Sequence, residues 1–144
     1  MTTAPTRIRL VLTVAVATLA LTGGAVENAS AAGSVKKATK LLQDKRLTIY
    51  ISGDVTNSTI QRDVDLCRSG SLFYRSVFSS EYGVVEEDAQ GRWRVISARI
   101  RGGYGWAKVR WTAGTYGGTS RVVANRRGVS VDGNPVEFTR SPAC

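Results

Sequence analysis

Three hydrophobic patterns follow one another along this chain. Leu10 to Leu21 is an uncharged, largely apolar run. Ser34 to Lys45 then repeats at helical spacing: Val35, Ala38, Leu41 and Leu42 share one face, and Lys36, Lys37 and Lys40 lie elsewhere on the wheel. Ser34 is suited to cap this helix, and Leu41 and Leu42 to pack it on a sheet as a short lid. From Leu47 onward the period changes to two. Leu47, Ile49 and Ile51 alternate with polar residues, as do Val64 and Leu66 after a polar stretch, Gly53 to Thr59. Further strands are expected over Leu72–Phe78, Trp93–Ile100, Trp106–Thr112, Ser120–Ala124, Val129–Val131 and Val136–Thr139.

The turn signals between these runs decide the topology. Ser69-Gly70, Gln90-Gly91, Gly102-Gly103, Gly117-Gly118 and Asp132-Gly133 punctuate the alternation, and Ser79 to Ala89 reads as a polar, acidic loop. Short, hairpin-like connections favour an up-and-down antiparallel meander over Greek-key crossovers. About eight such strands can close on themselves and so remove their edges. The expected fold is mainly β, a small closed or nearly closed barrel with one short N-terminal helix over one mouth.

The first segment changes the expected location. Arg7 and Arg9 precede the apolar run, and Ala29-Ser30-Ala31 follows it with the small residues of an A-x-A cleavage site. This is the pattern of a secretory signal peptide over residues 1–32. The run falls short of the ~20 residues that span a bilayer, so no stable membrane insertion is expected after cleavage. Residues 33–46 then form the short helix and linker, and residues 47–144 the barrel domain of a secreted protein. Removal of residues 1–32 takes away two arginines and Glu27, and the net charge falls from +9 to +8. A basic surface favours anionic partners such as an envelope polymer, although Lys and Arg spread along the chain also serve solubility.

Cys67 and Cys144 are the two cysteines, and both lie in the exported part. Export makes one intramolecular disulfide the expected state, with free thiols or an intermolecular bridge as the alternatives. No metal site is expected, because two isolated cysteines without histidine cannot complete one. The chain contains no histidine at all. That excludes a Ser-His-Asp triad, a Cys-His pair and a histidine-ligated metal. No cofactor is expected, and any enzyme would have to rest on carboxylates, Lys, Arg or Tyr. Glu86-Glu87-Asp88 is the one acidic cluster, but adjacent loop carboxylates do not hold the separation across a substrate that glycosidase chemistry needs.

Alternation sorts the tryptophans. Trp93 and Trp111 fall with Val95, Ala107 and Val109 and read as core. Trp106 falls on the other face with Lys108 and Arg110, and Arg92 and Arg94 join it if Trp93 points inward. These five residues, Arg92, Arg94, Trp106, Lys108 and Arg110, are the candidate binding surface. Ile96, Ala98 and Ile100 share parity with the arginines, so a bulge near Ser97 is needed to switch the faces. Arg99, Arg101, Tyr104 and Tyr116 lie near turns and are expected to ring one mouth, where ligands commonly enter.

Leu66-Cys67-Arg68-Ser69-Gly70-Ser71-Leu72-Phe73-Tyr74 has the form L-C-x-x-G-x-x-F/Y. Gly91-Arg92-Trp93-Arg94-Val95 follows, and later Gly128, Val129 and Val131-Asp132-Gly133. This order of turns and strand starts resembles the small lipocalin-like β-barrel modules of uncharacterised exported bacterial proteins, and the composition looks actinobacterial. The resemblance spans roughly residues 41–140 and implies a barrel fold without shared catalytic residues. Leu47 to Gly53 holds no tryptophan, so the G-x-W of true lipocalins is absent. The expected function is a secreted, non-enzymatic binding module of lipocalin-like shape. Its ligand would be a small molecule in the mouth or an anionic envelope polymer outside, with nucleic acid disfavoured. The alternative is a protein–protein interaction factor, such as an inhibitor of a secreted hydrolase acting through Ser79 to Gln90.

Overall fold

A computed structural model describes residues 31–53 and 57–144. The apolar run and nearly all of the signal-peptide pattern lie outside these residues. The first described element is a helix, α1, over residues 31–42. Eight strands follow: β1 Lys45–Gly53, β2 Ser58–Leu66, β3 Ser71–Ser80, β4 Gly83–Arg101, β5 Tyr104–Ala113, β6 Tyr116–Asn125, β7 Gly128–Val131 and β8 Asn134–Arg140. Each pairs antiparallel with the next, and β8 returns to β1 through Lys45↔Arg140 to Thr48↔Glu137. The result is the closed up-and-down barrel that the alternation predicts.

Closure sorts side chains strictly by parity. Leu47, Leu66, Leu72, Trp93, Val95 and Val109 point inward and are buried. Ala38 and Leu42 of α1 join them, so the helix does cover one mouth. Leu41 stays 44% exposed and contributes little to that lid. The helix already runs at residue 31, so Ser34 lies inside it rather than capping it, and it ends at residue 42 rather than at Lys45. Asp44 is the reason: its φ of 59° is left-handed and turns the chain into β1.

Asp44 also ties this closed end together. Its N–H donates to the Leu66 carbonyl at 2.6 Å, and its carbonyl accepts from Ser141 N–H at 2.9 Å. Its carboxylate accepts from Arg68 N–H at 3.0 Å and Arg68 Nη2 at 2.9 Å. Cys67 and Cys144 form the expected disulfide beside it, across a sequence separation of 77. Trp93 Nε1 donates to the Cys67 carbonyl at 2.9 Å, which satisfies its one polar atom in the core.

Three turn assignments differ from the alternation. Ser79 to Ala89 is not a loop: β3 runs to Ser80 and β4 starts at Gly83, so only Glu81 and Tyr82 turn. The acidic residues alternate in a strand, with Arg75 directly opposite Asp88 and Ser76 opposite Glu87. Gly91 sits within β4 because a Cβ there would meet the Thr112 carbonyl oxygen, where β5 approaches. Gly117-Gly118 is also strand; the turn is Gly114-Thr115, with Gly114 at φ 59°. A Cβ at Gly118 would stand 3.7 Å from the Trp111 ring, an ordinary packing contact. The Asp132-Gly133 turn is as expected, with φ of 50° and 86°.

Candidate functional site

The walls of the barrel have unequal height, and this creates the site. β4 pairs with β5 only from Gly91 onward, and β1 pairs with β8 only as far as Thr48. Beyond those points β1, β2, β3 and the first half of β4 continue as a four-stranded wall with nothing opposite. Below it a cavity of about 440 Å³ enters the barrel from the end away from α1. That volume lies within the ordinary range for small-molecule pockets.

The floor and sides are apolar: Leu47, Val64, Leu72, Val109, Trp111 and Val122 line them. Trp111 is half-buried there, and its Nε1 donates to Ser120 Oγ at 3.0 Å. The neck is polar. Arg62, Ser76 and Glu87 stand side by side on β2, β3 and β4, because Arg62 pairs with Ser76 and Ser76 with Glu87. Tyr116, Asp132 and Asn134 reach the cavity from the low wall. One pair further out, apolar side chains return. Ile51, Ile60, Phe78 and Val85 align across the tall wall. Ile51 is 40% exposed, Phe78 37% and Val85 64%. A ligand in this cavity thus meets an apolar floor, a neck with both charge signs and an apolar lip.

The acidic cluster is split by strand parity. Glu87 faces the cavity, whereas Glu86 and Asp88 face out toward Arg75, at 2.7 Å and 4.0 Å. The hydrogen bond with Glu86 is the main reason the Arg75 pKa rises above the ordinary arginine value. On the same outer face Arg46 donates twice to Asp65, at 2.9 and 2.7 Å, and Asp63 accepts from Thr48 Oγ1 at 2.7 Å. The bond to Asp65 raises the Arg46 pKa against the opposing effect of its partial burial. Among the described residues no cluster of His, Cys, Asp and Glu is placed to hold a metal ion.

The five residues of the candidate surface come together on the outside. A register shift between Val95 and Ser97 leaves Ile96 as an extra residue, which is the bulge needed near Ser97. Arg92 and Arg94 therefore face out before it, and Ala98 and Ile100 face in after it. Arg94 pairs directly with Arg110, and Ser97 with Lys108. Trp106 lies on the same face, half-buried, with the Arg121 guanidinium of β6 5.2 Å above its ring. Alternation alone missed Arg121 because it ignored β6. The expected ring of Arg99, Arg101, Tyr104 and Tyr116 does not form: the first three lie toward the α1 end and Tyr116 at the open end. The sequence reasoning also missed Arg62, Ser76 and Asn134, whose only signal was a polar residue at an inward position of an otherwise apolar strand face.

No protein-family model, curated protein or solved structure matches this chain.

Proposed function

We propose that the protein is a secreted, non-enzymatic binding module of lipocalin-like shape, and that its principal site is the barrel cavity. One observation carries this reading: a barrel sealed at one end by α1 and a disulfide, and left open at the other over a largely apolar cavity of about 440 Å³. The disulfide agrees with a location outside the cell. The ligand class follows from the lining. An amphipathic small molecule would place its apolar body against Leu47, Leu72, Val109 and Trp111. Its polar end would meet Arg62, Ser76 and Glu87, where donors and acceptors are both available.

Native mass spectrometry of the mature protein, recovered from the medium of cells that export it, tests this. The expected spectrum shows one small molecule per protein, released by collisional activation. Protein that is always empty, including after exposure to amphiphile mixtures, would overturn the reading. A second reading has its own observation. The β3–β4 hairpin overhangs the mouth, β4 is unpaired on one side before Gly91, and Tyr82 at its tip is 85% exposed. Such an edge suits a protein partner, as an inhibitor of a secreted hydrolase would need. In that case the same spectrum shows a protein adduct instead.

A further inference from the structure

From Arg92 onward the outer face of β4, with those of β5 and β6, carries positive charge that no acidic side chain pairs with among the described residues. From Ala89 to Val131 the chain contains no Asp or Glu. The bulge at Ile96 keeps Arg92, Arg94, Arg99 and Arg101 on the outer side of one strand. Lys108 and Arg110 on β5 and Arg121 on β6 stand beside them. All seven are exposed, and none takes part in an ion pair among the described residues. Among the described residues the one carboxylate bonded to this region is Asp132, and it accepts from the Arg121 backbone N–H at 2.7 Å.

The register makes the arrangement unfavourable for folding. Arg94 is directly opposite Arg110, and Lys108 directly opposite Arg121. Like charges facing one another across antiparallel strands destabilise a sheet. On the β1–β3 side of the same barrel the outward-facing arginines are paired instead, Arg46 with Asp65 and Arg75 with Glu86. Two repulsive pairs on one face, neither relieved by an acid among the described residues, fit a surface whose counter-charge comes from outside.

We infer that this face binds a linear polyol-phosphate polymer running along β4 and β5, independently of any ligand in the cavity. Outward positions on a strand repeat every ~6.6 Å, so a flexible chain with regularly spaced phosphates meets a cation at nearly every step from Arg92 to Arg101. Arg predominates, and its planar fork suits phosphate oxygens. Single-stranded nucleic acid fits less well, because it needs a succession of open aromatic platforms. Here the aromatics are Trp106 and Tyr104, and the Trp106 ring is already stacked by Arg121.

The test uses the mature protein and poly(glycerol phosphate) of defined length, titrated over a range of salt. Binding should weaken steeply with salt, because each neutralised phosphate releases counterions. Replacing Arg94, Lys108 and Arg110 together by Thr should lower affinity by at least about tenfold and make the log–log salt slope shallower by about 2. The same variant should melt no lower than wild type, because the replacement relieves repulsion; a purely structural role would give the opposite. A matched control, K36A/K37A/K40A, removes three exposed charges from α1 and should bind as wild type does. Three results would overturn the inference: equal loss in the control, which indicts net charge alone; no binding of the polymer by wild type; or markedly tighter binding of a single-stranded oligonucleotide or an acidic glycan of equal charge.

Discussion

The two ends of the barrel are built on different principles. At the α1 end every device points toward stability. Ala38 and Leu42 fill the mouth, the disulfide pins the C-terminus to the β2–β3 turn, and Asp44 bonds both the Leu66–Arg68 segment and Ser141. At the other end the strands run to different heights, apolar side chains stand in solvent on the lip, and the interior is left unfilled. A core packed throughout would have been more stable, since each unfilled volume forfeits dispersion contacts. The contrast separates an end that fixes the shape of the barrel from an end that leaves its interior open, where the proposed ligand would enter. Substitutions at the α1 end should therefore act on stability, and those at the open end on binding.

The largest effect is expected at the disulfide. Replacing Cys67 and Cys144 by Ser frees a long loop and should lower stability by roughly 4 kcal/mol in the chain-entropy model. Chemical denaturation with and without reductant measures it, and thiol titration of the denatured, unreduced wild type should find no free thiol. Leu42→Ala, which empties the middle of the lid, should follow at about 2–4 kcal/mol, read from urea midpoints. Asp44→Ala should lower stability by about 1–2 kcal/mol, through lost hydrogen bonds and an Ala forced to a left-handed φ. Asp44→Gly should recover the conformational part only. Phe78→Ser at the lip should change the melting temperature least, because the side chain is largely solvated, while weakening capture of an amphiphile. A lip substitution as destabilising as Leu42→Ala would erase the distinction between the ends.

The sequence made the closed end and the barrel legible for a physical reason. Alternation and short turns each respond to local geometry, and in a closed meander nearly every strand packs against the strands next to it in chain order. That is why Trp93, Trp111, the Asp132-Gly133 hairpin and the bulge after Val95 are where their patterns put them. The open end was not legible in the same way. Glu86, Glu87 and Asp88 resemble a loop because three consecutive charges hide the alternation, and only the partner strand, with Arg75 and Ser76, shows that two face out and one faces in. Gly91 and Gly118 look like turn residues, yet both lie within strands, and Gly91 is demanded by the close approach of Thr112. The cavity itself depends on where pairing stops, at Gly91 and at Thr48, and strand height is a property of neighbours rather than of any one segment.

Trp111 offers the most direct measurement, because it stands in the cavity wall whereas Trp93 is sealed in the core and Trp106 is outside. In a Trp106→Phe background, titration with an amphiphile brominated along its apolar chain should quench tryptophan fluorescence saturably, at one molecule per protein. Ser76→Phe, which narrows the neck between Arg62 and Glu87, should abolish that quenching and leave the melting temperature nearly unchanged. Quenching that never saturates, or that is unaffected by Ser76→Phe, would contradict a ligand site inside the barrel.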